Sequence, residues 1–522
     1  MNIVIMSGQY VTQELQVEFG LIPPAFLPVG NRRLYEYQLT NIKNSHPDCS
    51  IYLTLPKSYD LSCWDKLELD KENVMVILVD EHFSLGQSIS YVLASMPDLT
   101  QDVSIYYGDT LFRNSIQCAG DAAFVAKPDH NYLWLPLSED VHNNDRTVFC
   151  GYLKVCKPIN LIKALIQSGF DLESSLHQYN SVCPIIKELR NDWLDFGHLN
   201  TYFNSKTIVT TERAFNSLEI NKNNVIKRSE KHAKLEAEAM WFYSIPEELS
   251  HFTPRIISHG KYCSGYYYKL EYLYHPTLTE LFVFGHQPTL VWERIISACF
   301  EFVRQCQEVS GVNNEFDDNF YPTLVSKNKE RLEAFLLDNP RYIKPIADSS
   351  GEEYLLREVL EECHQRIDVN SRKAFVHGDL CFSNILFDFR KNDIKVIDPR
   401  GISFDGTITP LGDTRYDLAK LCHSAIGKYD LIVSDTFSIK DDGYRIDLTL
   451  PDHNVDLSNS IRNNIERMNF SFHEIMAMTC TLFLSMLPLH YDKPLRQKAF
   501  IATALNIYKG IKNDYHPYGR IK

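Results

Sequence analysis

Hydrophobic positions along the chain follow two rhythms. In the first part, short apolar runs alternate with glycine turns and helical stretches: MNIVIMSGQY (1–10) is a strand running into a turn, SLGQSISYVLASM (84–96) has helical spacing, and SIYYGDTLF (104–112) is a strand ending at Gly108-Asp109. Further on, NNVIKRSE (223–230) predicts a short strand after an Asn-Asn turn, and KLEAEAMWFYSIP (234–246) a helix stopped by Pro246. YYYKLEYLY (266–274) predicts a tyrosine-rich strand, and HPTLTELF (275–282) a turn into a helix. From there helical spacing dominates, at 290–306, 352–367, 473–487 and 495–511. Three short apolar runs interrupt it, AFV (374–376), ILF (385–387) and IKVI (394–397), which predict a strand, a polar loop and then a hairpin.

A chain of 522 residues exceeds what one hydrophobic core supports and predicts two to four domains. The main junction is expected near 204–212, where the last of the motifs of the first part, described below, gives way to the first strand of the second, which gives domains at 1–205, 206–274 and 275–522. No Pro-rich or Gly/Ser-rich linker lies there, so a short ordered junction is expected. TCTLFLSMLPL is the most apolar stretch, yet too short by itself to cross a bilayer, and reads as a buried helix. The N-terminus has no positively charged n-region and only a few apolar residues, unlike a signal peptide. Thirteen cysteines without paired short spacing point to a reducing compartment, and a cytoplasmic location is expected. The net charge of −14, with no basic stripe, argues against nucleic acid and anionic lipid, and leaves small molecules as the expected partners.

The chemistry concentrates in AFVHGDLCFSNILFDFRKNDIKVIDPRG (374–401). Asp379 and Asn384 stand five positions apart and Asp398 follows the next apolar run, the spacing that phosphoryl transfer from ATP requires of a catalytic-loop Asp, an Asn and a second Asp. The segment resembles the aminoglycoside phosphotransferase and choline kinase superfamily, whose loop reads HGDL, then NIL, then Ile-Asp. That resemblance implies a bilobal protein-kinase-like fold and ATP as phosphoryl donor, with Asp379 as catalytic base and Asn384 and Asp398 as Mg²⁺ ligands. His377 reads as a hydrogen-bonding residue of the loop. A kinase also needs a cation over the phosphates and an acid to hold it, and Lys227 at a strand end is the candidate. Its partner is Glu238, with Glu236 the alternative, because helical periodicity does not decide which faces the cleft. The resemblance further implies an adenine-reading hinge at Glu271 to Leu273 and a loop-buttressing role for Asp417. Arg400 is a candidate for pairing with phosphate or an acidic substrate group.

Residues 20–39, GLIPPAFLPVGNRRLYEYQL, resemble the sugar-nucleotide and phosphocholine nucleotidyltransferases, with SLGQSISYVLASM, SIYYGDTLF and WLDFGHLNTYF (193–203) following in the expected order. The implied fold is an α/β, Rossmann-like (GT-A-like) domain with the nucleotide above the turn at Gly8. The resemblance implies that Asp109 and Asp195 hold the Mg²⁺ of a CTP or another nucleoside triphosphate. The chain departs from that family in two places: SGQYVTQE (7–14) carries no Arg, and Pro23-Pro24 stands where the family has Pro-Lys. Arg32 and Arg33 are the nearby cations that could compensate.

Two functions follow. In one, the C-terminal half phosphorylates a small alcohol or sugar and the N-terminal half couples the product to a nucleotide, an arrangement suited to capsule or other surface polysaccharide biosynthesis. In the other, the chain is a single-activity kinase carrying a nucleotide-binding or assembly module. No motif encodes the acceptor, and choline, ethanolamine, an amino-sugar, a polyol and an amino acid derivative all stay open.

Overall fold

A computed structural model describes residues 1–128, 132, 134–135, 147–211, 218–221, 223–230, 232–262, 265–309, 319–370, 373–451 and 455–513. It divides into two compact units, the first comprising Met1–Glu212 with Phe284–His286 and the second Arg213–Val283 with Gln287–Lys522. The junction expected at 205/206 falls inside a helix, Leu199–Thr211, which carries the first unit on to Glu212. That helix has polar residues on all sides and the motif WLDFGHLNTYF ends at Phe203, so nothing in the sequence marks how far the helix runs.

The first unit is built on a seven-stranded sheet with the order Ile186–Leu189, Ala122–Ala126, Val148–Val155, Val103–Tyr107, Asn2–Met6, Ser50–Pro56, Val74–Val79. Asn2–Met6 is parallel to both its neighbours and buried along its whole length, which is why it reads as an unbroken apolar run rather than an alternating one. Ile89, Val92 and Leu93 of one helix (Leu85–Ser95) and Leu161 and Leu165 of another (Pro158–Gln167) cover one face, packing in a single cluster with Val4, Ile105 and Leu153. The first of these helices starts where its sequence says it should. Ser84 Oγ accepts the Gln87 N–H at 3.2 Å and Gln87 Oε1 accepts the Ser84 N–H at 2.7 Å, a reciprocal cap. From Asn2–Met6 the chain builds two strands outward on one side, then returns to add Val103–Tyr107 on the other. This reversal opens a crevice at the carboxyl ends of those two strands, the place where open α/β sheets bind ligands.

In the second unit a four-stranded antiparallel sheet has the order Leu218–Ile220, Asn224–Ser229, Gly265–Glu271, Ile256–Tyr262. Its register sets Lys227 opposite Tyr268, and the helix His232–Tyr243 packs on it, with the Phe242 ring 6.0 Å from that of Tyr268. A helical lobe follows. Its centre is Phe472–Met486, buried on every side from Ile475 to Ser485, so its amphipathic period vanishes. Together with the turn that continues it to His490, this segment has the length and composition to cross a membrane, but 72% of it is buried within the fold, where it serves as the core helix. The helix Phe320–Asp338 was not evident in the sequence. Pro322 sits in its first turn and an unbroken polar stretch from Ser326 to Arg331, of which Asn328 is buried, interrupts the apolar stripe of Phe320, Leu324, Leu332 and Phe335. The twelve described cysteines are all free.

Near the first unit's crevice a buried ion pair fixes the segment after Pro28. Arg33 Nε and Nη2 reach Asp65 Oδ1 and Oδ2 at 2.6 and 3.0 Å, with both side chains almost completely enclosed. Asp65→Ala would leave the guanidinium buried and unpaired, so the first unit is expected to lose about 3–5 kcal/mol in urea unfolding. Replacing both partners with apolar residues should recover most of that loss.

Candidate active site

In the second unit, the loop between the strand Lys373–Phe375 and the hairpin Ile385–Asp388/Asp393–Val396 is held from below. Asp417, in the first turn of Thr414–Ala425, accepts the His377 N–H at 2.7 Å and the Gly378 N–H at 2.8 Å. Burial pushes its carboxyl up to about 7, against the lowering effect of those two N–H groups. His377 Nε2 donates to the Ile397 carbonyl at 2.9 Å while Nδ1 accepts the Asp379 N–H at 3.3 Å. Burial brings this imidazole down to about 4, which leaves it neutral and structural at physiological pH.

Asp379 is thereby presented with its side chain about 41% exposed and Lys420 Nζ 2.9 Å from Oδ1. Burial by the surrounding protein pushes this carboxyl up, but the Lys420 ammonium outweighs it and holds the group below its ordinary value. Sequence reasoning missed Lys420. The signal was present, since it follows Asp417 by three residues and so shares its helix face.

Asn384 Nδ2 donates to the Asp379 carbonyl at 2.9 Å, which turns Oδ1, touched by Ser383 Oγ at 3.3 Å, outward. The Ile397 N–H bonds the Asn384 carbonyl at 2.9 Å and so ties the approach to Asp398 to the same end of the hairpin. Asp398 is exposed and left-handed, with φ 54°, a conformation costly for a residue with a side chain and concentrated at functional sites. Asn384 and Asp398 thus offer two oxygen donors, about what Mg²⁺ takes from protein when phosphates and water complete its shell.

Lys227 bridges two carboxylates, with Nζ 2.7 Å from Glu238 Oε2 and 3.2 Å from Asp398 Oδ1. Glu238, and not Glu236, is therefore its partner, and the Tyr268 hydroxyl donates to the same Glu238 oxygen at 2.9 Å. Burial alone would lower the Lys227 ammonium, and the two carboxylates raise it above its ordinary value. Glu271 ends its strand with its N–H on the Arg255 carbonyl at 3.0 Å and its carboxylate on the Arg255 N–H. The Tyr272 N–H is taken by Asn223 O at 2.9 Å. At the hinge expected at Glu271 to Leu273, the N–H groups of Glu271 and Tyr272 are thus committed to residues just before the neighbouring strands.

In the first unit, a cleft of about 250 Å³ lies over the carboxyl ends of Asn2–Met6 and Val103–Tyr107, lined by Gly8, Gln9, Tyr10, Leu85, Asp109 and Gly197 among others. Gly8 is buried there, and a Cβ on it would lie 3.2 Å from the Val79 Cβ. The antiparallel pair Thr110–Phe112/Trp193–Asp195 sets Thr110 opposite Asp195 and so draws Asp109 and Asp195 together. Both carboxylates close on Gly197, where an added Cβ would lie 2.6 Å from Asp109 Oδ2 and 3.3 Å from Asp195 Oδ1. Burial, then the Asp195 charge, pushes the Asp109 carboxyl up to about 7. Asp195 Oδ2 is bound by His198 Nδ1 at 2.9 Å and Thr201 Oγ1 at 2.7 Å. Among the described residues no three His, Cys, Asp or Glu side chains converge as a closed metal cage. Two converging carboxylates with a side-chain-free gap between them fit a Mg²⁺ whose other ligands come from a nucleotide and water.

The compensating cations do not reach this cleft. Arg33 is spent on Asp65, Arg32 lies 3.9 Å from Glu36 on the surface, and among the described residues no Lys or Arg lines the cleft.

The second unit's sheet, helical lobe and loop define a phosphotransferase domain of the protein-kinase-like class. Residues 226–435 match the model of the phosphotransferase enzyme family (APH), so the C-terminal region carries a domain of that family. No curated protein matches the chain. Among solved structures, the chain is similar to a nucleoside-diphosphate-sugar pyrophosphorylase from Vibrio cholerae (11% identity, TM-score 0.33, 40% of this chain and 99% of that one). It is also similar to a type VIII aminoglycoside-3'-phosphotransferase (12%, 0.31, 59% and 99%) and to an inositol-1-phosphate CTP transferase from T. maritima (11%, 0.30, 38% and 89%).

The raised Asp109 carboxyl has a pH signature. Its folded value of about 7 lies above the unfolded 3.8, so between these the native state keeps a proton that the unfolded chain releases, and stability falls as pH rises through that window. Asp109→Asn is expected to raise the melting temperature of the first unit at pH 8 and to change it little near pH 4, as measured by differential scanning calorimetry.

Proposed function

We propose that the second unit transfers the γ-phosphoryl group of ATP to a hydroxyl of a small alcohol or sugar. The observation that carries this reading is the junction of Lys227, Glu238 and Asp398 beside a loop that presents Asp379 and Asn384. In this mechanism Glu238 holds Lys227 against the nucleotide phosphates. Asp379, its Oδ1 fixed by Lys420, accepts the acceptor's hydroxyl proton at Oδ2 as the oxygen attacks phosphorus and the bond to ADP breaks. Asn384 and Asp398 would hold Mg²⁺, which when bound supplies neutralising charge to the phosphates.

For the first unit the reading is a Mg²⁺-dependent nucleotide site at Asp109 and Asp195. Nucleotidyl transfer from CTP or another nucleoside triphosphate to the phosphorylated product would make an activated building block of a surface polysaccharide, in the cytoplasm where both nucleotides are available. Among the described residues no Lys or Arg lines the cleft, which favours the second reading, a module that binds nucleotide without transferring it, since the charge that builds on the leaving pyrophosphate meets no cation from that lining. Calorimetry with Mg²⁺ and each nucleotide on the Asp379→Asn chain, followed by an assay for pyrophosphate, separates the two. Binding with pyrophosphate release supports transfer, binding alone supports the module, and no binding removes the site.

Asp379→Asn is expected to lower phosphoryl transfer by about 10² to 10⁴ while the protein still binds Mg·ATP. Unchanged turnover would remove Asp379 from the reaction. Lys420→Met frees Asp379 from the ammonium that depresses it, so the acid limb of the pH–rate profile should move to higher pH. An unshifted limb would limit Lys420 to packing.

A further inference from the structure

Beside the catalytic loop, a small cavity of about 60 Å³ is lined by Gly378, Arg400, Phe404, Asp405, Tyr416 and residues at the start of the Phe320–Asp338 helix, among others. Arg400 is pinned to the loop, its N–H on the His377 carbonyl at 2.9 Å and its Cβ packed so closely that a Cβ on Gly378 would lie 2.7 Å away. Its guanidinium lies over the Phe404 ring at 4.1 Å and near the Tyr416 ring at 6.0 Å. Lys327 Nζ approaches the same Phe404 ring at 4.9 Å, and Arg331 lies one helical turn beyond Lys327. Among the described residues none of these three cations forms an ion pair. The carboxylates nearby are occupied, since Asp413 pairs with Arg415 at 2.6 Å and Asp405 Oδ1 accepts the Thr407 N–H at 2.9 Å and the Ser403 hydroxyl. Burial, then Arg400 and Arg331, brings the Lys327 ammonium down to about 8, and burial and Arg400 also lower Arg331 despite the opposing effect of Tyr416. Glu330 opposes the lowering of Lys327, and Asp405 and Asp413 line the cavity with hydrogen bonds or an ion pair already made, so three half-buried cations that repel one another outnumber the carboxylates beside them and are stabilised by an anion that binds between them.

We propose that the phosphoryl acceptor is itself anionic, a hydroxyl compound bearing a phosphate or carboxylate, and that Arg400, Lys327 and Arg331 hold this group while its hydroxyl faces Asp379. The proposal rests on the kinase reading and narrows it: of the acceptors open from sequence, choline, ethanolamine and an unmodified amino-sugar have the wrong charge, an unmodified polyol has none, and an amino acid derivative can carry the carboxylate; beyond that set, a sugar or polyol phosphate and a hydroxy acid have the right charge. Phe404 stiffens the pocket by holding two of the cations against its ring faces.

The test is run on the full chain with inorganic phosphate and without nucleotide or Mg²⁺. Phosphate is expected to raise the melting temperature of the second unit, and Arg400→Gln with Lys327→Gln should weaken that binding at least about tenfold in calorimetry. Lys227→Met should leave it unchanged, which separates this site from that of the ATP phosphates. Phosphate that fails to bind, or that binds the double variant as tightly as the original chain, overturns the proposal. A second arm measures ADP release with matched acceptors: glycerol against glycerol phosphate and glycerate, glucosamine against its phosphate, and choline. Turnover confined to phosphate esters or to carboxylates identifies which anion is used, and efficient turnover of the neutral or cationic members overturns the proposal while upholding the kinase. Loss of all turnover with phosphate binding intact would instead count against the kinase reading alone.

Discussion

The second unit's chemistry depends on one buried carboxylate. Asp417 takes two consecutive backbone N–H groups of the loop, at His377 and Gly378, and sets the path of the chain into Asp379. Without it, two buried donors would lack partners and the loop would have no fixed height above the helix. The same helix sends Lys420 to Asp379, so one element both shapes the loop and sets the charge of its acid. On the opposite wall Glu238 and Asp398 are held at one distance by Lys227, itself set by strand register against Tyr268.

Much of this was legible in the sequence, for physical reasons. The HGD-to-Asn offset reports a loop whose length fixes where Asn384 can bond back to Asp379, and the Ile-Asp after it reports the end of a hairpin. The sequence pointed to Glu238 as the partner of Lys227 but left Glu236 as an alternative, because both positions fit a helix and only packing against the sheet decides between them. Lys420 was signalled only by its position three residues after Asp417, and the Phe320–Asp338 helix was masked by a proline in its first turn and a polar stretch in its middle. The end of the first unit was blurred by a helix without an amphipathic stripe.

The first unit combines a crevice and two converging acids with a lining that holds no Lys or Arg among the described residues. The reversal of strand order makes the crevice, and two acids meet beside it. One of the two nearby arginines, Arg33, has been drawn into the core by Asp65. A residue type that could serve phosphate in one setting serves packing in this one, and only the structure distinguishes them.

Gly197 illustrates a site defined by what is missing. Between Asp109 and Asp195 the chain supplies a gap one carbon wide, and the nearest oxygen would be 2.6 Å from any carbon placed there. Alanine scanning elsewhere subtracts atoms and asks what their loss removes. At this position the same substitution adds an atom, and a survey built to find lost functional groups would record a steric obstruction instead.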